Sequence, residues 1–105
     1  MINKVAAIDT GTNTCLMLIA ENDNNKLKVL EDIIRVPRLG RNVDKEKKIS
    51  SGSVSKLIDV LNEYKIIIEK HSCDKISATG TSALRDARNR DEVLNEVFER
   101  TGIKI

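Results

Sequence analysis

The feature that most constrains this chain is a change of hydrophobic period near residue 50. Before it, apolar residues come in short runs closed by turn residues; after it, they recur three and four positions apart. The first pattern belongs to strands and the second to a helix with one buried face. Residues 5–8, 15–21 and 27–36 therefore read as three strands. Asn22-Asp23-Asn24-Asn25 separates the last two, and these residue types tolerate the left-handed backbone of a tight turn. Strands on short connections pair antiparallel. A kink is expected near Glu31-Asp32, where the alternation breaks.

Pro37 ends the third run, and the charged stretch to Lys48, including Lys45-Glu46-Lys47-Lys48, reads as a solvated surface loop. Ser50 or Ser51 can cap a helix in which Val54, Leu57, Ile58, Leu61 and Ile68 form one stripe, widened by Val60, Tyr64 and Ile67. Residues 75–79 then read as a strand reached through a helix, and so parallel to its neighbour. Thr81 and Ser82 can start a short helix through about Ala87. Asn89 with Glu92 resembles the capping box of another, with Val93, Leu94, Val97 and Phe98 inward and Gly102 as its stop. Ile103-Lys104-Ile105 looks like the beginning of one more strand. The expected order is β-β-β-α-β-α-β, an α/β fold with a mixed sheet.

A chain of 105 residues fits one compact domain. With one Phe, one Tyr and no Trp, its core must be aliphatic. That aliphatic content excludes a disordered chain, and two cysteines exclude a disulfide scaffold. No apolar run approaches the roughly 20 residues that span a bilayer, so no membrane partner is expected. A net charge of +2 is too small to argue for nucleic acid. The N-terminus lacks the unbroken apolar region of a secretory signal, and a cytoplasmic location is expected. Cys15 and Cys73 then read as reduced thiols without metal-site spacing, Cys15 as a buried structural one. His71 falls near the end of the long helix, where a cation favours the dipole; that is a capping or surface role.

Two segments could carry chemistry. Asp9-Thr10-Gly11-Thr12-Asn13-Thr14 lies between two apolar strands. A tight Gly-containing turn with flanking hydroxyls can collect backbone N–H groups around phosphate oxygens. Asp9, closing the first strand, could hold Mg²⁺ directly or through water. The plain alternative is that a hairpin simply needs these residues. The second segment runs from Gly80 through Thr81, Ser82, Arg85 and Arg88 to Arg90, at a strand-to-helix junction. The C-terminal edge of a parallel strand is where α/β folds place ligands, and a guanidinium can take a phosphate bidentately. A capped helix with solvated arginines is the alternative.

Ala7-Ile8-Asp9-Thr10-Gly11-Thr12-Asn13-Thr14, then Arg38-Leu39-Gly40, then the run from Ala78-Thr79-Gly80-Thr81-Ser82-Ala83-Leu84-Arg85 to Asp86-Ala87-Arg88-Asn89, resembles the N-terminal portion of the exopolyphosphatase / guanosine pentaphosphate phosphohydrolase family. The first motif alone is shared with the wider actin-like ATPase superfamily; the last is specific. The resemblance implies a ribonuclease-H-like (actin-like) domain, of which residues 1–105 would be the N-terminal part, truncated at its C-terminal end, with the second domain absent. It implies Mg²⁺-dependent removal of terminal phosphate from inorganic polyphosphate or guanosine pentaphosphate. Gly11, Thr12 and Asn13 would belong to the first phosphate-binding loop, Arg85 would contact a phosphate, and Asp9 would lie near the metal through water.

The sequence departs from the family in its length. The family's general base is a Glu in a Ser-Gly-x-Glu-Glu-like loop, expected beyond Ile105, so no catalytic residue is assigned in this chain and it is expected to be inactive alone. A non-catalytic phosphate-binding or subunit-association module is a second reading, and a fragment of another actin-like superfamily kinase a third. Apolar surface left open by the missing parts would favour a homo-oligomer.

Overall fold

In a computed structural model of the chain, residues 2–41 and 43–105 are described. The three expected strands form as β1 (Ile2–Thr10), β2 (Cys15–Asp23) and β3 (Lys26–Arg35). They pair antiparallel, Ile8 opposite Met17 and Met17 opposite Ile33. Asn24 and Asn25 both take positive φ, 50° and 68°, which closes the β2–β3 hairpin on two residues. The expected kink is a bulge: Ile19 pairs with Glu31 but Ala20 pairs with Val29, so Leu30 is the extra residue.

Between strand three and the long helix the structure corrects the reading of a solvated loop. Pro37, Leu39, Val43 and Ile49 are buried, and Val43–Glu46 forms a short helix, α1. These apolar residues anchor the crossing segment to the core, a contact that the charges around them conceal in the sequence. Helix α2 (Ser51–His71) follows. Ser50 is its N-cap and accepts a hydrogen bond from the Ser53 N–H at 3.2 Å; Ser72 ends it in the left-handed conformation. His71 at the helix end reaches across to Glu31 of the bulge, 3.0 Å away.

Strand β4 (Lys75–Gly80) pairs parallel to β1, with Ile8 beside Ala78, and the sheet order is β3-β2-β1-β4. Two helices complete the chain, α3 (Ser82–Asp86) and α4 (Arg90–Thr101). Alternation along the strands separates the faces of the sheet. Ala6, Ile8, Cys15, Met17 and Ile19 are buried against Leu57, Ile58, Leu61, Tyr64 and Ile68 of α2, with Val93 and Val97 of α4 in the same cluster. Each fully buried aliphatic side chain contributes about 1.5–3 kcal/mol. The Tyr64 hydroxyl donates to the Cys15 carbonyl inside this core. The opposite face carries Ala7, Asp9, Leu16, Leu18, Asp32 and Ile34 and is exposed along its length.

Three further expectations change. Ile103-Lys104-Ile105 is not a strand, so the observed order among the described residues is β-β-β-α-α-β-α-α. The Ile103 N–H is turned to the Thr101 hydroxyl at 3.0 Å, and Ile103 is buried as a plug at the end of α4. The Asn89–Glu92 capping box does not form. Asn89 makes no side-chain cap; its amide instead clamps Ile49, accepting from the N–H and donating to the carbonyl, both at 2.9 Å. Phe98 does not face inward: it is 53% exposed, because Val93 and Val97 already fill the space under α2. Gly102 does end the helix, with φ 75°.

Candidate functional site

The parallel pairing of β1 and β4 brings both candidate segments to one edge of the sheet. Thr10 and Gly80 are register partners, and the Thr81 N–H donates to the Thr10 carbonyl at 3.0 Å. The Thr81 hydroxyl donates to the same carbonyl at 3.3 Å. The 11–14 loop thus begins where the β4–α3 junction begins. A Cβ on Gly80 would stand 2.6 Å from Leu84 Cδ2 and 3.2 Å from Ile105 Cγ2, so any larger residue there would have to displace the buried Leu84 side chain.

Within the loop, the Gly11 N–H closes onto the Thr14 carbonyl at 2.8 Å. Gly11 is therefore a hinge of the turn, and its own amide is spent. The outward carbonyls are spent as well. The Gly40 N–H donates to the Thr12 carbonyl at 2.7 Å, and the Arg38 N–H donates to the Asn13 carbonyl at 3.1 Å. What remains open is the donor side: the Thr12 and Asn13 N–H groups make no hydrogen bond among the described residues. A loop whose carbonyls are occupied and whose amides are left without a partner among the described residues is suited to anion oxygens.

The Arg38-Leu39-Gly40 motif acquires a physical role here. Leu39 is fully buried and fixes the segment, while Gly40 lets it approach Thr12. Sequence reasoning singled out the motif without seeing that it braces the loop. A glycine inside a charged stretch, with no turn partner near it, was the available signal.

Arg85 lies one turn along α3 and its side chain is 70% exposed. It borders a cleft of about 210 Å³ with Gly80, Leu84, Arg90, Leu94 and Ile105. Thr12 borders a separate cleft of about 120 Å³ with Gly40, Val43, Ser82, Ala83 and Asp86. The loop and Arg85 therefore flank Thr81–Ser82 from two sides and do not line one pocket. With five residues, α3 is too short for its dipole to carry the anion site that the sequence pattern suggested. Arg90 joins Arg85, donating to its carbonyl at 3.2 Å.

Asp9 is exposed on the open sheet face, beside Leu16 of β2 and Thr79 of β4. Among the described residues no cluster of three His, Cys, Asp or Glu side chains could hold a metal ion. Cys15 is buried as expected, and burial pushes its thiol up, so it stays a thiol; the Thr10 hydroxyl 3.7 Å away opposes this and the Asp9 charge adds to it. Among the described residues no helix is long and apolar enough to cross a membrane.

Residues 18–105 match the Ppx/GppA phosphatase family. A bifunctional 3-dehydroquinate synthase/phosphatase from Fusobacterium nucleatum is 36% identical over 107 residues, which cover 95% of this chain and 16% of that protein. Exopolyphosphatase 1 of Mycobacterium tuberculosis is 28% identical over 103 residues, covering 97% of this chain and 30% of the relative. The crystal structure of the Aquifex aeolicus member of the Ppx/GppA family superposes with a TM-score of 0.96 at 30% identity, over 99% of this chain and 34% of that one. The chain thus spans between a sixth and about a third of the length of these proteins.

Proposed function

We propose, for a chain that belongs to the Ppx/GppA phosphatase family, that it supplies the first phosphate-binding loop of a hydrolase removing terminal phosphate from inorganic polyphosphate. Guanosine pentaphosphate is the second substrate carried by this reading. The observation that supports it is the polarity of the 11–14 loop: both outward carbonyls are occupied by Arg38 and Gly40, and the Thr12 and Asn13 amides are left to a ligand. Arg85 and Arg90 add two guanidinium groups on the other side of Thr81. A terminal phosphate held by the loop amides would have these guanidinium groups beyond Thr81–Ser82, in a separate cleft, as nearby positive charge; fixed donors and cations of this kind lower phosphoryl-transfer barriers.

Asp9 is the one carboxylate on the strand that enters the loop after Ile2. Mg²⁺ commonly keeps several waters and is held by one or two carboxylates with substrate phosphates, so a single Asp fits it only when phosphate is also bound. Asp9 would hold the ion through water. There the ion would neutralise developing charge on phosphate oxygens. No Ser-Gly-x-Glu-Glu loop occurs in these 105 residues, and no general base is assigned among them. A base contributes about 10²–10⁴-fold. The chain is therefore read as residues 1–105 of an actin-like domain that binds phosphate without turning it over by itself, and as a cytoplasmic protein.

Isothermal titration of the 105-residue chain with orthophosphate in the presence of Mg²⁺, with Arg85→Ala alongside, tests the binding. Phosphate release from polyphosphate and from guanosine pentaphosphate tests the absence of turnover. Heat of binding lost in Arg85→Ala, with no phosphate release, is the expected result. Enzyme-like release from a preparation free of host phosphatase would overturn the inactive reading. Absence of any phosphate heat would overturn the loop assignment.

A further inference from the structure

One stretch of chain holds the 11–14 loop at its start and the α3–α4 junction at its end. At the start, the Gly40 and Arg38 N–H groups brace the Thr12 and Asn13 carbonyls, at 2.7 and 3.1 Å. At the end, the Lys47 carbonyl accepts from the Arg88 N–H at 2.8 Å. Two residues on, the Asn89 side chain holds both the N–H and the carbonyl of Ile49 at 2.9 Å. Between these ends the backbone closes on itself in successive turns. The Arg41 N–H donates to the Arg38 carbonyl, Val43 to Gly40 and Lys47 to Val43, at 3.1, 3.1 and 2.6 Å. Leu39, Val43 and Ile49 of the same stretch are buried in the core. A segment closed by turns and anchored by close-packed side chains keeps its ends at a fixed separation.

Arg85 depends on that fixed end. It lies on α3, whose five residues are too few for a helix stable by itself. Ala83 and Leu84 bury the inner face of α3, and hydrogen bonds hold its two ends. At the start, the Thr81 N–H donates to the Thr10 carbonyl. Past the other end Ala87 is extended, and the next turn is closed by Arg90. The Arg90 N–H donates to the Ala87 carbonyl at 3.3 Å, and its side chain donates to the Arg85 carbonyl at 3.2 Å. Asn89 sits inside this turn and ties it to Ile49, 40 residues earlier. A carboxamide has an acceptor and a donor side by side, so it grips both polar groups of one peptide residue and fixes direction as well as distance.

We propose that Asn89 is a positioning residue for phosphate binding: through Ile49 and the 38–49 stretch it sets where the Arg85 guanidinium stands relative to the 11–14 loop. The proposal rests on the phosphate-loop reading above. Asn89 acts through Arg85, since its own amide is turned to Ile49. The attraction between a guanidinium and a phosphate weakens with distance, so a junction free to move away from the loop lowers affinity.

NMR of the full 105-residue chain, titrated with orthophosphate in the presence of Mg²⁺, reads the Thr12 and Asn13 amides and the Arg85 Nε–H together. In the parent all three are expected to shift. In Asn89→Ala the two loop amides should still shift, because Arg38 and Gly40 still brace them, while the Arg85 Nε–H response is lost. Affinity should fall about threefold or more. Asn89→Asp keeps the acceptor for the Ile49 N–H and should recover part of the Arg85 response; it also serves should the alanine variant not fold. Ile19→Val removes one methyl from a fully buried core position far from the tie, so it lowers stability and should leave all three responses and the affinity unchanged. Loop and Arg85 responses lost together in Asn89→Ala would make the residue a general structural tie and overturn the proposal. So would an Asn89→Ala variant with the parent's affinity and Arg85 response. A parent whose loop amides shift while Arg85 ignores phosphate would overturn the proposal and leave the loop reading intact. Unmoved Thr12 and Asn13 amides in the parent would overturn the loop reading itself, and this role with it.

Discussion

The Gly40 N–H donates to the Thr12 carbonyl at 2.7 Å, and a Cβ added at Gly40 would lie 2.2 Å from Thr12 Cγ2. The two residues are 28 positions apart, and their contact holds the outward carbonyl of the 11–14 loop in place. Gly40→Ala must push Thr12 away. Overpacking of this kind costs about 1–3 kcal/mol. The expected outcome is a lower urea midpoint together with weakened phosphate binding, because the displaced peptide carries the Asn13 amide. A variant that binds phosphate as tightly as the parent would show that the brace is dispensable.

Tyr64, the only tyrosine, is fully buried and donates to the Cys15 carbonyl. Burial, with smaller help from Cys15 and Glu63 and opposed by Arg35, pushes its hydroxyl up to about 12 from an ordinary value near 10. The folded state thus keeps a proton that the unfolded chain releases. The stabilisation is complete below the unfolded value and is lost as pH rises through the interval between about 10 and 12. Denaturant unfolding of the parent and of Tyr64→Phe along a pH series should show this alkaline loss in the parent alone. At neutral pH the variant should be less stable by about 1–3 kcal/mol, the cost of an unpaired buried carbonyl.

Asn89 carries a different kind of tie. Its amide both accepts from the Ile49 N–H and donates to the Ile49 carbonyl, joining the entry of α2 to the entry of α4. Asn89→Ala removes both bonds and is expected to cost about 1–3 kcal/mol. Asn89→Asp keeps the acceptor and loses the donor, so it should fall between the two in thermal denaturation. Equal stability of Asn89→Ala and the parent would show that water replaces the side chain.

How far the sequence reached follows from which contacts are local. Period and turn residues located the three strands, the long helix, β4 and the Gly102 stop, because each depends on near neighbours. The long-range partners of polar side chains were not legible. Asn89 looked like a cap because Glu92 follows three residues later, yet its partner Ile49 lies 40 residues back. Phe98 looked buried because it is aromatic and next to Val97, although two valines suffice to meet α2. Leu39, Val43 and Ile49 were masked by surrounding charge. The loop residues Gly11, Thr12 and Asn13 and the distant Arg85 were named from their motifs, but only parallel pairing of β1 with β4 brings them to one edge. The same pairing shows that they flank Thr81 from two sides.

The open face of the sheet supports a prediction about self-association. Leu16, Leu18 and Ile34 are 38%, 39% and 55% exposed on adjacent strands, a continuous apolar strip in water. Covering it is favourable, and a second copy is the partner always available. Asp9 and Asp32 share this face, so two copies meeting there also bring like charges together. Salt screens that repulsion and leaves the apolar contact, so the associated fraction should rise with ionic strength. Leu18 is the register partner of Asp32. Leu18→Lys removes apolar area and places a cation opposite the carboxylate, a cross-strand pair worth about 0.2–1 kcal/mol within the monomer. The variant should therefore fold as the parent does but run as a monomer by light scattering, where a dimer or larger is the expected result for the parent. A parent that stays monomeric at high protein concentration and high salt would rule this association out.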